Sequence, residues 1–317
     1  MMKLRWLADS SERPVRSALA VAMPDLAVEK LAVRARHPQP NPLYWSSSAL
    51  INDDLEMKFS WSQVRAVRLH REGLLLQRLA DQALGLRLPE LVALNADPVV
   101  VVTKHLPGQP LSRDAASDLN GPRLECVAGQ LAGFLLALHR VPAAAILEGL
   151  PEITPTAQSD TAALRARYGR LVDEDRAMLV HRWCDWVDGV LTAPGPDPVL
   201  VHGDLHGHNQ LWDLETGELV AILDLEECGM GDPHFDFRYL PDSSSTTHFL
   251  LAVVDTYQRG SGTSLSLERI MAWHTLTALG DALWRTEAGV PLPGGGDART
   301  YVDGLQSLFD ALEITTS

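Results

Sequence analysis

The sequence predicts an α+β protein with two lobes, a small β-rich N-terminal lobe and a larger, mainly helical C-terminal lobe. Residues 26–106 contain strand-like segments around one helical segment, whereas helical periodicity dominates the rest of the chain. Between these regions the stretch PGQPLS, with its two prolines and one glycine, interrupts both patterns. We therefore expect an N-terminal lobe over residues 1–104 and a C-terminal lobe over residues 105–317.

The composition is that of a globular protein. With 317 residues, 46% of them hydrophobic, the chain can bury a sizeable core. No apolar run approaches the roughly 18 residues of a membrane span, and charged residues interrupt the N-terminal segment where a signal peptide would be apolar. Three cysteines without a CxxC pair favour a reducing compartment. We expect a cytoplasmic monomer or homodimer.

The charge balance narrows the range of partners. A formal net charge of −14 argues against nucleic acid, because phosphate contacts require Lys and Arg clusters that the sequence does not contain. The same charge is compatible with a cationic small molecule. A small-molecule partner is therefore expected, and neither nucleic acid nor a membrane is.

The N-terminal lobe is predicted to hold strands on both sides of one helix. LAVEKLAVRAR, DLEMKFSW and DPVVVVTKHL are typical of strands, and SQVRAVRLHREGLLLQRLADQ has helical periodicity. In LEMKF, Lys58 points away from the apolar face of Met57 and Phe59. Glu72 falls within the apolar stripe of the helix, where a carboxylate is costly unless it is paired. Lys58 is its natural partner; the alternative is a solvated glutamate at the border of the stripe.

The C-terminal lobe begins with a helix near residues 124–138, which HRVP ends, and further helices are expected near residues 173–191 and 267–288. Between the last two, QLWDL and LVAILDL joined by ETGE predict a β-hairpin. This hairpin follows the stretch VLVHGDLHGHN, which carries the most chemistry in the sequence.

Three interpretations of VLVHGDLHGHN compete. Polar side chains stand at alternate positions: His202, Asp204, His206 and His208. An extended strand would bring them to one face, as a zinc site requires, but Gly203 and Gly207 interrupt such a strand. A structural polar turn is the second interpretation. The third is a catalytic loop for phosphoryl transfer.

The third interpretation draws on the neighbouring residues. In this stretch a predicted strand is followed by a His-x-Asp motif, and an asparagine lies five residues after the aspartate. This order is typical of a phosphotransferase catalytic loop. Asp204 would be the base toward a hydroxyl group, and Asn209 would bind Mg²⁺. Asp224, at the end of the strand in AILDLEE, would be the second magnesium ligand, since Mg²⁺ prefers oxygen ligands with phosphate and water completing its shell.

The motifs LVHGDLHGHNQLW and AILDLEECGMGDPHFDF, with Lys58 and LPGQPLS before them, resemble the aminoglycoside phosphotransferase and choline kinase family, which has a protein-kinase-like fold. The resemblance implies an ATP-dependent kinase, with GTP as a possible donor and Mg²⁺ as cofactor. It implies Asp204 as catalytic base, Asn209 and Asp224 as metal ligands, and Lys58, held by Glu72, on the ATP phosphates. His202 and Asp236 would be structural.

The resemblance also implies a hinge segment that meets the adenine, formed by Thr103, Lys104 and His105. The glycine-rich phosphate loop of the family is missing, because HPQPNPLYWSSSALINDD contains no glycine. The hydroxyl groups of Ser46, Ser47 and Ser48 would then donate hydrogen bonds to the phosphates instead.

The acceptor is expected to be a hydroxyl-bearing small molecule, for example a cationic one such as an aminoglycoside-type antibiotic. A sugar, amino alcohol or amino acid fits the same residues, because fold and loop do not select the acceptor. Candidate acceptor ligands are His206, Glu226, Glu227, His274 and Asp281. A non-catalytic nucleotide-binding module is the alternative from another class, prompted by the missing glycines.

Overall fold

The computed structural model describes residues 4–34, 45–80, 82, 85–157, 159–292 and 295–316. The helices are α1 (Glu12–Ala22), α2 (Gln63–Ala80), α3 (Arg113–Ser117), α4 (Gly121–His139), α5 (Ala143–Leu147), α6 (Thr161–Leu171), α7 (Glu174–Thr192), α8 (His248–Ser261), α9 (Leu267–Ala288) and α10 (Ala298–Ala311). The strands are β1 (Leu31–Val33), β2 (Ser46–Ile51), β3 (Leu55–Ser60), β4 (Leu91–Ala96), β5 (Val99–Lys104), β6 (Gln109–Pro110), β7 (Val199–Val201), β8 (Gln210–Asp213), β9 (Glu218–Ile222) and β10 (Gly229–Gly231). Across the described ranges, none of these helices is both long and apolar enough to cross a bilayer.

The chain forms two compact units, each discontinuous in sequence. Unit 1 comprises Met1–Pro110, Arg140–Ile153 and Asn209–Gly229, and unit 2 comprises Leu111–His139, Thr154–His208 and Met230–Ser317. The chain thus leaves unit 1 after Pro110 and returns to it twice, which the sequence did not indicate. The two continuous lobes, divided after residue 104, stay a prediction.

Unit 1 is built on a five-stranded antiparallel sheet with the order β1-β2-β3-β5-β4. Met57 and Phe59 of β3 share a core with Val15 and Leu19 of α1. Because side chains alternate along a strand, Lys58 points to the opposite face, where α2 packs. This placement brings Lys58 within reach of the buried side of α2.

A second sheet of unit 1 has the order β6-β8-β9 and contains the hairpin expected from QLWDL and LVAILDL. Gln210, the first residue of β8, lies opposite Ile222, the last residue of β9. The residues just outside the hairpin on either side are therefore neighbours. These are Asn209 and Leu223, joined by a hydrogen bond from the Leu223 amide to the Asn209 carbonyl at 2.8 Å.

Unit 2 is mainly helical. Helices α6, α7, α9 and α10 share a core in which Trp183 stacks on Phe309, with ring centroids 5.4 Å apart. Helix α4 packs against α8, and the short strand β7 pairs with β10. The helices predicted near residues 124–138, 173–191 and 267–288 correspond to α4, α7 and α9.

The structure departs from the sequence interpretation at the start of the chain. Of LAVEKLAVRAR, only Leu31–Val33 is a strand. Residues 46–51, expected in a loop, form β2, because Ala49 and Ile51 are buried in the core while the backbone pairs with β3. Residues 35–44, which make up much of the expected phosphate loop, lie outside the described residues.

Candidate active site

Lys58 and Glu72 form an ion pair inside unit 1. Lys58 Nζ lies 2.7 Å from Glu72 Oε1, and the glutamate side chain is 3% exposed, against 33% for the lysine. The ammonium group of Lys58 therefore contacts a buried carboxylate while the lysine side chain stays partly exposed to solvent. The pairing expected from the strand and helix periodicities is present, and the solvated-glutamate alternative was wrong.

Asp224 and Asn209 stand at the same end of the β8–β9 hairpin. Asp224 follows β9, and its Oδ1 lies 3.5 Å from Lys58 Nζ. Its backbone has a φ of 65°, in the left-handed region that Asp tolerates better than most residues. Asn209 directly precedes β8 and is buried. The hairpin thus places the two residues expected to bind a metal ion at the same end of the β8–β9 sheet segment.

Three carboxylates of unit 1 form a cluster, which we call the acidic cluster. Glu72, Asp224 and Glu226 each offer an oxygen atom, and these atoms lie within 4.8 Å of one another. Within the described part of the chain, the buried Glu72 Oε2 has no hydrogen-bond partner. An oxygen-only donor set with one unsatisfied buried oxygen fits a hard cation such as Mg²⁺.

The charges of the acidic cluster act on one another. Burial raises the pKa of Glu72 above its usual range, and Lys58 only partly offsets this. Burial, reinforced by Asp224, also raises the pKa of Glu226 to about 8. Burial alone would lower the pKa of Lys58, but Asp224 and Glu72 outweigh it and raise that pKa. Lys58 therefore keeps its proton, and the two buried glutamates beside it bind protons more tightly than they would in water.

Two arginines of α2 bind the segment that follows Asp224. Arg65 forms an ion pair with Glu226, and Arg68 forms one with Glu227. A spacing of three residues places both arginines on one face of the helix. Glu226 and Glu227 were predicted to contact the acceptor; in this structure both have arginine partners in unit 1, and the acceptor contact stays a prediction.

A third arginine on the same face, Arg71, is fully buried. Its guanidinium donates to the carbonyl oxygens of Cys228 at 2.5 Å and Pro151 at 2.9 Å. A buried guanidinium that donates to several carbonyl groups fixes the course of the backbone. Helix α2 thus supplies both the partner of Lys58 and three anchors for the segment after Asp224.

After strand β7, the stretch VLVHGDLHGHN continues as a turn rather than as a strand. Strand β7 ends at Val201, and residues Gly207–Asn209 form a 3₁₀ turn. Gly203 has a φ of 83°, which favours glycine. A Cβ at Gly207 would lie 2.3 Å from the carbonyl oxygen of Leu111. The extended segment on which the zinc interpretation depends does not form.

Asp236 anchors this turn within unit 2. Its buried carboxylate accepts hydrogen bonds from the amides of His202 at 2.8 Å and Gly203 at 2.9 Å. His139 Nε2 lies 3.2 Å from the same carboxylate. Burial alone would raise the pKa of Asp236, but the bond to His139 and the neighbouring groups hold it below its usual value. Asp236 is thus the structural anchor that the sequence suggested.

Asp204 projects from the anchored turn and is 29% exposed. Its Oδ1 accepts a hydrogen bond from Tyr239 Oη at 2.7 Å. Arg238 Nη2 lies 3.7 Å from Oδ1, and His206 Nε2 lies 3.5 Å from Oδ2. A carboxylate that is held and still exposed suits a general base.

Ser46, Ser47 and Ser48 belong to β2 rather than to a loop. Ser46 Oγ accepts a hydrogen bond from Arg65 Nε at 2.9 Å, and Ser47 Oγ donates to the carbonyl of Arg34. Ser48 lies directly opposite Lys58 in the β2–β3 register. The hydroxyl groups of Ser46 and Ser47 form hydrogen bonds within the protein, so of the three serines Ser48 is the best candidate to bind a phosphate.

The hinge residues Thr103 and Lys104 end β5, and His105 follows it. The amide of Lys104 donates to the Glu90 carbonyl at 3.0 Å, and that of His105 donates to the Asp54 carbonyl at 2.7 Å. An adenine contact in this segment therefore requires other backbone groups than these two amides.

The remaining acceptor candidates lie on α9. His274 is buried, and its Nδ1 lies 2.7 Å from the Arg238 carbonyl. Asp281 is half-buried, and its Oδ2 pairs with Arg285 Nε at 2.7 Å. Both side chains have structural partners within unit 2, and of the two Asp281 is the more accessible.

Sequence reasoning missed Arg65, Arg68 and Arg71 in unit 1 and the pair Arg238 and Tyr239 in unit 2. The regular spacing on α2 was a usable signal for the first group. The second group follows the GDPHFDF motif directly, but no periodicity marks which loop its side chains contact.

The chain resembles known proteins over most of its length. Residues 51–274 match the family described as the phosphotransferase enzyme family. A viomycin phosphotransferase from Streptomyces vinaceus is 28% identical over 257 residues, which cover 78% of this chain and 84% of that protein.

Solved structures establish the fold. Wild-type aminoglycoside 2'-phosphotransferase-IIIa with GDP superposes with a TM-score of 0.69 at 18% identity, covering 95% of this chain and 97% of that one. An aminoglycoside phosphotransferase in complex with streptomycin and ATP has a TM-score of 0.62 at 16% identity, covering 100% and 98%. The protein-kinase-like α+β fold is confirmed. Because the family match spans well over half of the chain, this protein belongs to the phosphotransferase enzyme family and is a kinase that acts on a hydroxyl group of a small molecule.

Proposed function

We propose that the protein transfers the γ-phosphoryl group of ATP or GTP to a hydroxyl group of a cationic, antibiotic-like small molecule, with Asp204 as the base. The observation that carries this proposal is Lys58, whose Nζ lies 2.7 Å from Glu72 and 3.5 Å from Asp224. Phosphoryl transfer needs a fixed cation for the phosphates next to oxygen ligands for a metal ion, and few other reactions need both.

Asp204 carries the proton transfer. Its carboxylate accepts the proton of the acceptor hydroxyl while the acceptor oxygen forms a bond to the γ-phosphorus. The bond between that phosphorus and the bridging oxygen breaks, and the nucleoside diphosphate leaves with the electron pair. The charges balance, since the proton lost by the acceptor resides on Asp204 until solvent removes it.

Asn209 and Asp224 would hold Mg²⁺ through their side-chain oxygen atoms, the ligand type that Mg²⁺ prefers. A bound Mg²⁺ neutralises charge on the phosphates. Lys58 contributes to the same end, because the carboxylates around it keep it protonated. Glu72 sets the position of Lys58, and the arginines of α2 hold the segment that follows Asp224.

The acceptor class follows from charge and from relatives. The net charge of −14 favours cationic molecules over anionic ones. The relative from Streptomyces vinaceus is named for viomycin, and a structural neighbour binds streptomycin. Metabolites such as sugars and amino alcohols belong in the same screen, since they fit the same base and metal ligands.

The test measures release of nucleoside diphosphate from MgATP and MgGTP in the presence of viomycin, streptomycin, sugars and amino alcohols. We expect acceptor-dependent turnover that Asp204→Asn lowers by about 100-fold or more. Asp185→Asn, which changes an exposed aspartate of α7, is the matched control and should retain full turnover.

Nucleotide binding is measured separately as thermal stabilisation, about 2.7 kcal/mol at 100 times the dissociation constant. Asp204→Asn should keep this stabilisation, whereas Asp224→Ala should lose it. Nucleotide binding without turnover of any acceptor would favour the non-catalytic module. Full turnover by Asp204→Asn would refute the base assignment.

A further inference from the structure

Tyr239 contacts the Asp204 carboxylate through its side chain. Its Oη lies 2.7 Å from Asp204 Oδ1, and it follows the Pro233–Phe237 turn that contains the anchor Asp236. One short segment therefore holds the backbone of the catalytic turn and one oxygen of its carboxylate.

Arg238 determines the direction of this hydrogen bond. Its Nη2 lies 3.1 Å from Tyr239 Oη, and a guanidinium can only donate. The tyrosine oxygen therefore accepts from Arg238, and its own hydrogen is directed to Asp204 Oδ1. Burial, together with the Asp204 charge, raises the pKa of Tyr239 above its usual value even though Arg238 opposes this. The hydroxyl group thus keeps its proton at neutral pH.

Arg238 is itself held firmly. Its guanidinium donates to the carbonyl oxygens of Gly203 at 2.7 Å and Phe235 at 2.9 Å. It also lies over the rings of Phe235 and Tyr239, at 3.7 and 4.2 Å from their centroids. These contacts fix both the tyrosine ring and the turn that carries Asp204.

We propose that Tyr239 is a positioning residue for the base: its hydroxyl group donates to Oδ1 of Asp204 and holds the carboxylate in the orientation that proton transfer requires. This inference rests on the proposed function of Asp204. A short hydrogen bond from a neutral hydroxyl group holds a carboxylate in place and leaves it ionised, as a general base must be. The bond also fixes the carboxylate plane, which matters because misplacement of a reacting group by about 1 Å can slow catalysis about 100-fold.

His206 lies near the other oxygen of the carboxylate. Its ring meets the Tyr239 ring edge to face, with centroids 5.6 Å apart, and its Nε2 lies 3.5 Å from Oδ2. The phenol ring of Tyr239 therefore packs against both Arg238 and His206, independently of its hydroxyl group.

Tyr239→Phe tests the proposal, because it preserves these ring contacts and removes only the hydroxyl group. With the acceptor found in the screen above, kcat should fall about 10-fold while the KM for nucleotide changes less than 2-fold, since the lost interaction acts on the reacting step. The ¹³C resonance of the Asp204 carboxyl carbon, assigned by its loss in Asp204→Asn, should shift. This second readout needs no acceptor.

Tyr168→Phe is the matched control. It removes another buried tyrosine hydroxyl group, which donates to the Leu279 carbonyl at 3.0 Å in the α6–α9 core. It should leave kcat and the Asp204 resonance unchanged. A Tyr239→Phe variant with wild-type kcat and an unmoved resonance would overturn the inference while Asp204 remained the base. Full turnover by Asp204→Asn would instead overturn the proposed function.

Discussion

Asp236→Ala should loosen the turn that carries Asp204. The carboxylate of Asp236 serves three buried donors in unit 2: the amides of His202 and Gly203 and the imidazole of His139. Leaving a buried donor without a partner costs about 1–3 kcal/mol. With three such donors, and with water able to replace part of the loss, we expect local destabilisation of at least about 3 kcal/mol.

Native-state hydrogen exchange at the amides of His202 and Gly203 measures this effect directly. A loss of about 3 kcal/mol corresponds to exchange about 100-fold faster, because each 1.4 kcal/mol is a factor of ten. Asp255→Ala, which breaks an exposed ion pair with Arg259 on α8, is the control and should change exchange by less than 3-fold. Unchanged protection of the two amides in Asp236→Ala would refute the anchoring role.

Two further predictions concern unit 2. Gly207→Ala should lower the free energy of unfolding by about 1–3 kcal/mol, because its Cβ would meet the Leu111 carbonyl at 2.3 Å. Gly133→Ala, in open space on α4, should raise it by up to about 1 kcal/mol, and equal effects in urea titrations would contradict the close approach. Burial alone would raise the pKa of Asp232, but hydrogen bonds from His234 and Arg269 hold it well below its usual range. The unfolded chain then binds the proton more tightly, so Asp232 stabilises the fold above about pH 4 and this contribution disappears on acidification. The destabilisation caused by Asp232→Asn, followed by urea unfolding at several pH values, should shrink toward about pH 3; a constant difference would contradict it.

Periodicity made half of the site predictable. Alternation along β3 and the apolar stripe of α2 were enough to pair Lys58 with Glu72, because both patterns report which way a side chain points. The hairpin signal brought Asn209 and Asp224 together, because a hairpin joins neighbouring segments of the chain.

The rest depended on contacts between distant loops. Nothing in the order of residues indicates that Tyr239 contacts Asp204, or that Arg68 forms an ion pair with Glu227. Strand β2 was missed because SSSALI has a weak strand propensity, and its pairing with β3 and burial of Ala49 and Ile51 determine its structure.

The discontinuity of unit 1 has a consequence for how the molecule matures on the ribosome. Residues 1–110 emerge early, but the partners that complete their unit, among them Asp224 beside Lys58, lie in residues 209–229. Synthesis proceeds at about 5–20 residues per second, so several seconds pass between the appearance of the N-terminal sheet and that of residues 209–229. During this time Lys58 and Glu72 lack Asp224. Long-range closure of this kind raises the contact order and slows folding. A nascent chain stalled before residue 209 should therefore be protease-sensitive in its N-terminal sheet, and one extended beyond residue 229 should be protected.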